Sequence, residues 1–90
     1  MRVGQARKRD ANEADIITAL QRIGCVTRRI SEPGFADVVA YKPSHGVRLI
    51  EVKSRTGTLT PAQVEHRRDG WPVHVVRNAA EALALFGIVQ

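Results

Sequence analysis

Two short apolar runs rich in β-branched residues, residues 34–41 and 47–53, are separated only by Lys42, Pro43, Ser44, His45 and Gly46. Such runs read as strands, and the residues between them are turn formers. A link of that length predicts an antiparallel hairpin, because a parallel crossover needs a dozen residues or more. If Tyr41 pairs with Val47, Asp37 falls opposite Glu51. Side chains alternate along a strand, so Glu51 and Lys53 share a face and Val52 points away. The hairpin then gathers two carboxylates and an ammonium on one patch of sheet.

Like charges placed opposite one another on a sheet repel. Taken alone, Glu51 and Lys53 are an ordinary pair of charges on a solvated strand. The opposing Asp37, preceded by a glycine turn, gives the arrangement a chemical meaning. Converging carboxylate oxygens suit a hard divalent cation such as Mg²⁺ or Mn²⁺. An ion held there lowers the pKa of a bound water and stabilises charge on a phosphoryl oxygen. Lys53 beside it would orient that water or neutralise developing charge.

The remainder predicts the order α-β-β-β-α-β-α. A first helix spans residues 10–23, with Ile16, Ile17, Leu20 and Ile23 as its buried stripe and Gly24 as its stop. Asp10 and Glu13 have the spacing of a capping box, which would account for Glu13 by itself. A strand over residues 26–30 follows, with Arg28 and Arg29 on opposite faces. Gly34 is expected to need positive φ or a close backbone approach. A second helix covers residues 59–69, with Thr60 as cap, Pro61 at the first position and Gln63 completing a second box. Arg67 shares the face of Gln63. Trp71 leads into a strand over residues 73–77, where packing at the strand end is favoured over stacking on a base. Asn78 caps a last helix with Ala79, Ala82, Leu83 and Phe86 on one stripe, stopped by Gly87. The expected fold class is α/β: a mixed four-stranded sheet flanked by helices, its last strand parallel to its neighbour.

Ninety residues fit one domain over residues 10–90, with residues 1–9 as a basic arm. The net charge of +5 favours a polyanionic partner, nucleic acid first. No apolar run is long enough to span a membrane. The one cysteine, Cys25, excludes an intrachain disulfide and fits a reducing cytoplasm. His45, His66 and His74 lack zinc spacing. No P-loop, dinucleotide fingerprint or serine relay is present.

At Glu13, at Gly34-Phe35-Ala36-Asp37, at Glu51-Val52-Lys53 and at Leu59-Thr60-Pro61-Ala62-Gln63, the chain resembles the PD-(D/E)xK nuclease superfamily. Within it the chain looks most like the virus-type replication-repair nuclease (VRR-NUC) domain, and more distantly like archaeal Holliday-junction resolvases. One departure is Ala36, where the family usually has proline before the aspartate. The resemblance implies a minimal restriction-endonuclease-like core and a Mg²⁺- or Mn²⁺-dependent DNA endonuclease acting in replication, repair or recombination. It assigns Asp37, Glu51 and the Val52 carbonyl to the metal and Lys53 to the attacking water, with Glu13 and Gln63 supporting the site. Arg28, Arg29, Arg55 and Arg67 are the expected DNA contacts, and branched or nicked DNA is among the expected substrates. It also implies a homodimer and a bacterial or phage-infected cytoplasm. The alternatives are a dimeric junction resolvase and a DNA-binding module that keeps the fold without turnover.

Overall fold

The computed structural model describes residues 10–89; the basic arm expected over residues 1–9 lies outside them. The elements follow in the expected order: α1 (Glu13–Arg22), β1 (Val26–Arg29), β2 (Val38–Lys42), β3 (Gly46–Val52), α2 (Pro61–Arg68), β4 (Val73–Val76) and α3 (Ala79–Ala84). The strands form one mixed sheet in the order β1-β2-β3-β4. The first two pairings are antiparallel and β3–β4 is parallel, with α2 in the crossover.

Alternation along the strands decides the layers. Val38 and Ala40 of β2, Ile50 and Val52 of β3, and Val76 of β4 point to one face, where Ile16 and Leu20 of α1 and Ala82 and Leu83 of α3 cover them. Phe86, just past α3, closes this core. Each fully buried aliphatic here contributes about 1.5–3 kcal/mol of transfer free energy. The opposite face carries Val39, Leu49 and Glu51. Helix α2 meets it through its one buried residue, the polar Gln63, which donates to Glu51. Farther along that face, the cross-strand partners Val26, Tyr41 and Val47 form an exposed row.

The hairpin register is the expected one, with Tyr41 opposite Val47, but the pairing ends at Val38–Ile50. Residues 34–37 are turn rather than strand. Gly34 has φ +80°, and a Cβ on it would stand 2.7 Å from the Ala62 Cβ. The loop therefore packs closely against the start of α2.

The first helix also starts later than expected. Its N-cap is Asn12, which makes no side-chain capping bond. The capping box anticipated from Asp10 and Glu13 is not seen: Glu13 N donates to the Asp10 carbonyl at 3.1 Å, and the Asn12 and Glu13 side chains have tertiary partners. Asn12 Nδ2 donates to Lys53 O at 3.3 Å and to Arg77 O at 2.9 Å. Glu13 Oε2 accepts from Arg29 Nε at 2.9 Å. At α2 the box is complete: Thr60 Oγ1 accepts from Gln63 N, and Gln63 Oε1 accepts from Thr60 N.

Candidate active site

The site forms where β2 and β3 diverge. Val52 N would have met a β2 carbonyl had the ladder continued. Instead it donates to Asp37 Oδ2 at 2.8 Å, while Asp37 N donates to Ile50 O at 2.9 Å. The Asp37 carboxylate thus caps the end of the strand pair, and a buried N–H keeps its partner. Charge-assisted bonds of this kind fix a carboxylate firmly.

Glu51, only 3% exposed, stands on the α2 face beside it. Its Oε2 accepts from Gln63 Nε2 and lies 3.4 Å from Lys53 Nζ. Its Oε1 is buried and, among the described residues, has no hydrogen-bond partner. Burial pushes the Glu51 carboxyl up to about 7; the neighbouring Asp37 charge acts the same way, and Lys53 partly opposes it.

Lys53 is held from three sides. Its N–H donates to Val76 O at 3.0 Å, its carbonyl accepts from Asn12, and its ammonium faces Glu51. Beyond it, Arg77 Nη1 donates to Ser54 O at 2.6 Å and to Gly57 O at 2.7 Å. A Cβ on Gly57 would lie 3.6 Å from Lys53 Cδ, so this loop folds against the lysine stem. Asp37, Glu51, Lys53 and Gln63 line an open cavity of roughly 300 Å³, together with Gly34 and Asp10.

Among the residues singled out from sequence, the structure brings Asp37, Glu51, Lys53 and Gln63 together. Glu13 is 1% exposed and pairs with Arg29; it does not line that cavity. The register places Arg28 on the Glu51 face and Arg29 on the α1 face. Arg28 Nη1 donates to the neighbouring Thr27 O, and Arg55 is exposed on the loop after Lys53. Arg67 lines a cleft with Glu51, Gln63 and Phe35. The Val52 side chain is in the core, its N–H bound to Asp37.

Sequence reasoning missed Asn12 and Arg77. Asn12 had a legible signal, an amide at a helix start, but its partners lie 41 and 65 residues away. Arg77 reads only as the last residue of a strand.

The donor set fits a hard divalent cation. A desolvated carboxylate with an orphaned buried oxygen, next to a second carboxylate, is a place where a cation relieves a cost. Among the described residues no third His, Cys, Asp or Glu joins them. The remaining ligands would be backbone carbonyl and water, as Mg²⁺ commonly accepts.

A solved structure described as a "VRR_NUC domain" shares this fold, with a TM-score of 0.65 at 20% sequence identity, over 87% of this chain and 97% of that one. No family model and no curated protein matches the chain. No helix among the described residues is long and apolar enough to cross a membrane.

Proposed function

We propose that the protein is a Mg²⁺- or Mn²⁺-dependent nuclease that hydrolyses DNA phosphodiesters in replication, repair or recombination. The observation that carries this reading is the Asp37–Glu51 pair, with an orphaned Glu51 oxygen and the Lys53 ammonium beside it. The fold shared with a VRR_NUC domain supports it.

In this reading Asp37, Glu51 and the Val52 carbonyl hold the ion. When bound, the ion would supply an acidified water and a counter-charge for the phosphoryl oxygens. Gln63 fixes the Glu51 carboxylate by donating to the oxygen that faces Lys53. Lys53 contributes a cation at a fixed place, where it orients the attacking water and offsets charge on the phosphate. Arg67, in the cleft that shares Glu51 and Gln63 with the cavity, and Arg55, two residues after Lys53, would neutralise neighbouring phosphates. Glu13 supports the site indirectly, through the helix whose preceding residue, Asn12, holds the Lys53 carbonyl. Cleavage of both strands of a branched substrate would require a homodimer; the exposed Val26–Tyr41–Val47 row is apolar surface that such a contact could cover.

Incubating the purified protein with supercoiled, branched and single-stranded DNA, with and without Mg²⁺, tests the reading. Metal-dependent cleavage supports it. Binding without cleavage in either metal favours the non-catalytic module.

A further inference from the structure

Trp71, three residues after α2, is 50% exposed. It meets Phe35 edge-to-face, with centroids 5.2 Å apart and planes at 73°. Phe35 meets His66 in the same way at 5.1 Å and 71°. Phe35 and His66 line the cleft that also contains Glu51, Gln63 and Arg67. A continuous strip therefore leads from a catalytic carboxylate through Phe35 to an open indole. The backbone beneath the indole is fixed as well: Trp71 O accepts from Val73 N at 2.9 Å, and Trp71 N donates to His66 O at 3.4 Å.

Packing at the start of β4 explains why one part of the ring is covered. It does not explain why a large aromatic is left half open next to a cleft that carries Arg67. Arg67 and Arg68, on the last turn of α2, precede it and supply charge for a polyanion. An aromatic ring flanked by arginine is the surface on which unpaired bases stack while their phosphates are neutralised. A paired base cannot use it, because its faces are already taken by its neighbours in the duplex. A ring held in advance also loses little freedom on binding.

We propose that Trp71 is a stacking platform for an unpaired nucleobase next to the scissile phosphate, so that the substrate is DNA with a single-stranded segment at the cleavage point. The inference rests on the nuclease reading and narrows its substrate class.

Trp71 is the sole tryptophan of the chain, so intrinsic fluorescence reports on this ring alone. The full chain is titrated in EDTA, without turnover, with oligo-dT, with a blunt duplex and with a duplex bearing a single-stranded flap. Oligo-dT and the flap should quench the emission, and the blunt duplex should not. By anisotropy of labelled DNA, Trp71→Ala should lose about fivefold or more in affinity for oligo-dT with duplex binding unchanged, and Trp71→Phe should restore most of the loss. Oligo-dT binding with no emission change, equal quenching by the blunt duplex, or no oligo-dT binding at all overturns the platform. Quenching without Mg²⁺-dependent cleavage leaves the platform standing and overturns only the nuclease reading. Cleavage without quenching does the reverse.

Discussion

Gln63 donates from Nε2 to Glu51 Oε2 while its Oε1 accepts the Thr60 N–H at 2.8 Å. One amide thus closes a helix cap and orients a buried carboxylate. The two roles separate in Gln63→Glu. A glutamate completes a capping box as well as a glutamine, but it cannot donate to Glu51 when ionised. Cleavage should fall by about 10–100-fold, the usual cost of losing a partner behind a metal-site carboxylate. The melting temperature at pH 5, where carboxyl protons are available, should stay near the wild-type value. Equal losses of activity and stability at pH 5 would show that Gln63 acts only as a cap.

Lys53→Ala removes the ammonium from the cavity and leaves the carboxylates in place. Phosphate contacts set most of the affinity for nucleic acid, whereas Lys53 acts on charge that develops during the reaction. Cleavage should disappear while DNA binding in EDTA stays within a few-fold of wild type. Wild-type cleavage by the variant would remove Lys53 from the chemistry.

The hairpin, the order of elements and the parallel last strand were legible because each rests on local pattern: turn residues, alternation, and caps at Thr60 and Asn78. The proximity of Asp37 and Glu51 followed from the same register. Its form did not. The ladder stops one rung early, with Asp37 Oδ2 taking the Val52 N–H and Gly34 packed close to Ala62, a contact between residues far apart in sequence. Glu13 was ambiguous for the same reason. Its spacing to Asp10 fits a cap, but a buried carboxylate facing Arg29 takes the ion pair instead. The box at Thr60 and Gln63 formed as expected, and its amide still had a donor to offer Glu51; no local pattern reveals that second bond.

Arg77 holds the loop that follows Lys53 through the carbonyls of Ser54 and Gly57. Hydrogen bonds to a charged donor each contribute about 1.5–3 kcal/mol. Arg77→Ala should lower stability by about 2 kcal/mol in denaturant unfolding. It should also speed trypsin cleavage after Arg55, which lies in the same loop. Arg77→Lys should recover only part of both, since an ammonium lacks the planar fork of a guanidinium. An unchanged cleavage rate in Arg77→Ala would mean the loop is held by other contacts.

The raised Glu51 carboxyl predicts an unusual slope of stability with pH. Its value is pushed from near 4.5 to about 7 in the fold. Between those values the folded chain keeps a proton that the unfolded chain has lost, so this group's contribution to stability falls as pH rises through the window. In EDTA, the melting temperature of wild type minus that of Glu51→Gln should therefore drop between about pH 5 and 7 and then level off. Mg²⁺ must displace that proton, so it should stabilise the wild type more at pH 8 than at pH 5. A flat difference in EDTA would place Glu51 among ordinary carboxylates.

Asp37→Asn should make the metal-free protein more heat-stable at pH 8 while destroying Mg²⁺-dependent activity. At that pH Glu51 is ionised, and two negative charges meet in a buried site beside Lys53. An asparagine keeps an oxygen to accept the Val52 N–H, so the end of the strand pair stays closed. Its NH₂ can donate to Glu51 where the carboxylate repelled it. Like-charge pairs across a sheet cost on the order of 0.2–1 kcal/mol, and more when desolvated. For a domain of this size, 1 kcal/mol moves the melting temperature by about 4–8 °C, so half of that is measurable. At pH 5 the gain should vanish, because protonated Glu51 no longer repels Asp37 and can itself donate to it. Mg²⁺ should stabilise the wild type and leave the variant nearly unchanged, since an ion that binds only the native state raises its stability. Melts of both proteins at pH 5 and 8, in EDTA and in Mg²⁺, distinguish the cases. If the variant melts lower at pH 8 in EDTA and Mg²⁺ shifts both proteins alike, Asp37 and Glu51 do not share an ion, and the nuclease reading loses its main physical support.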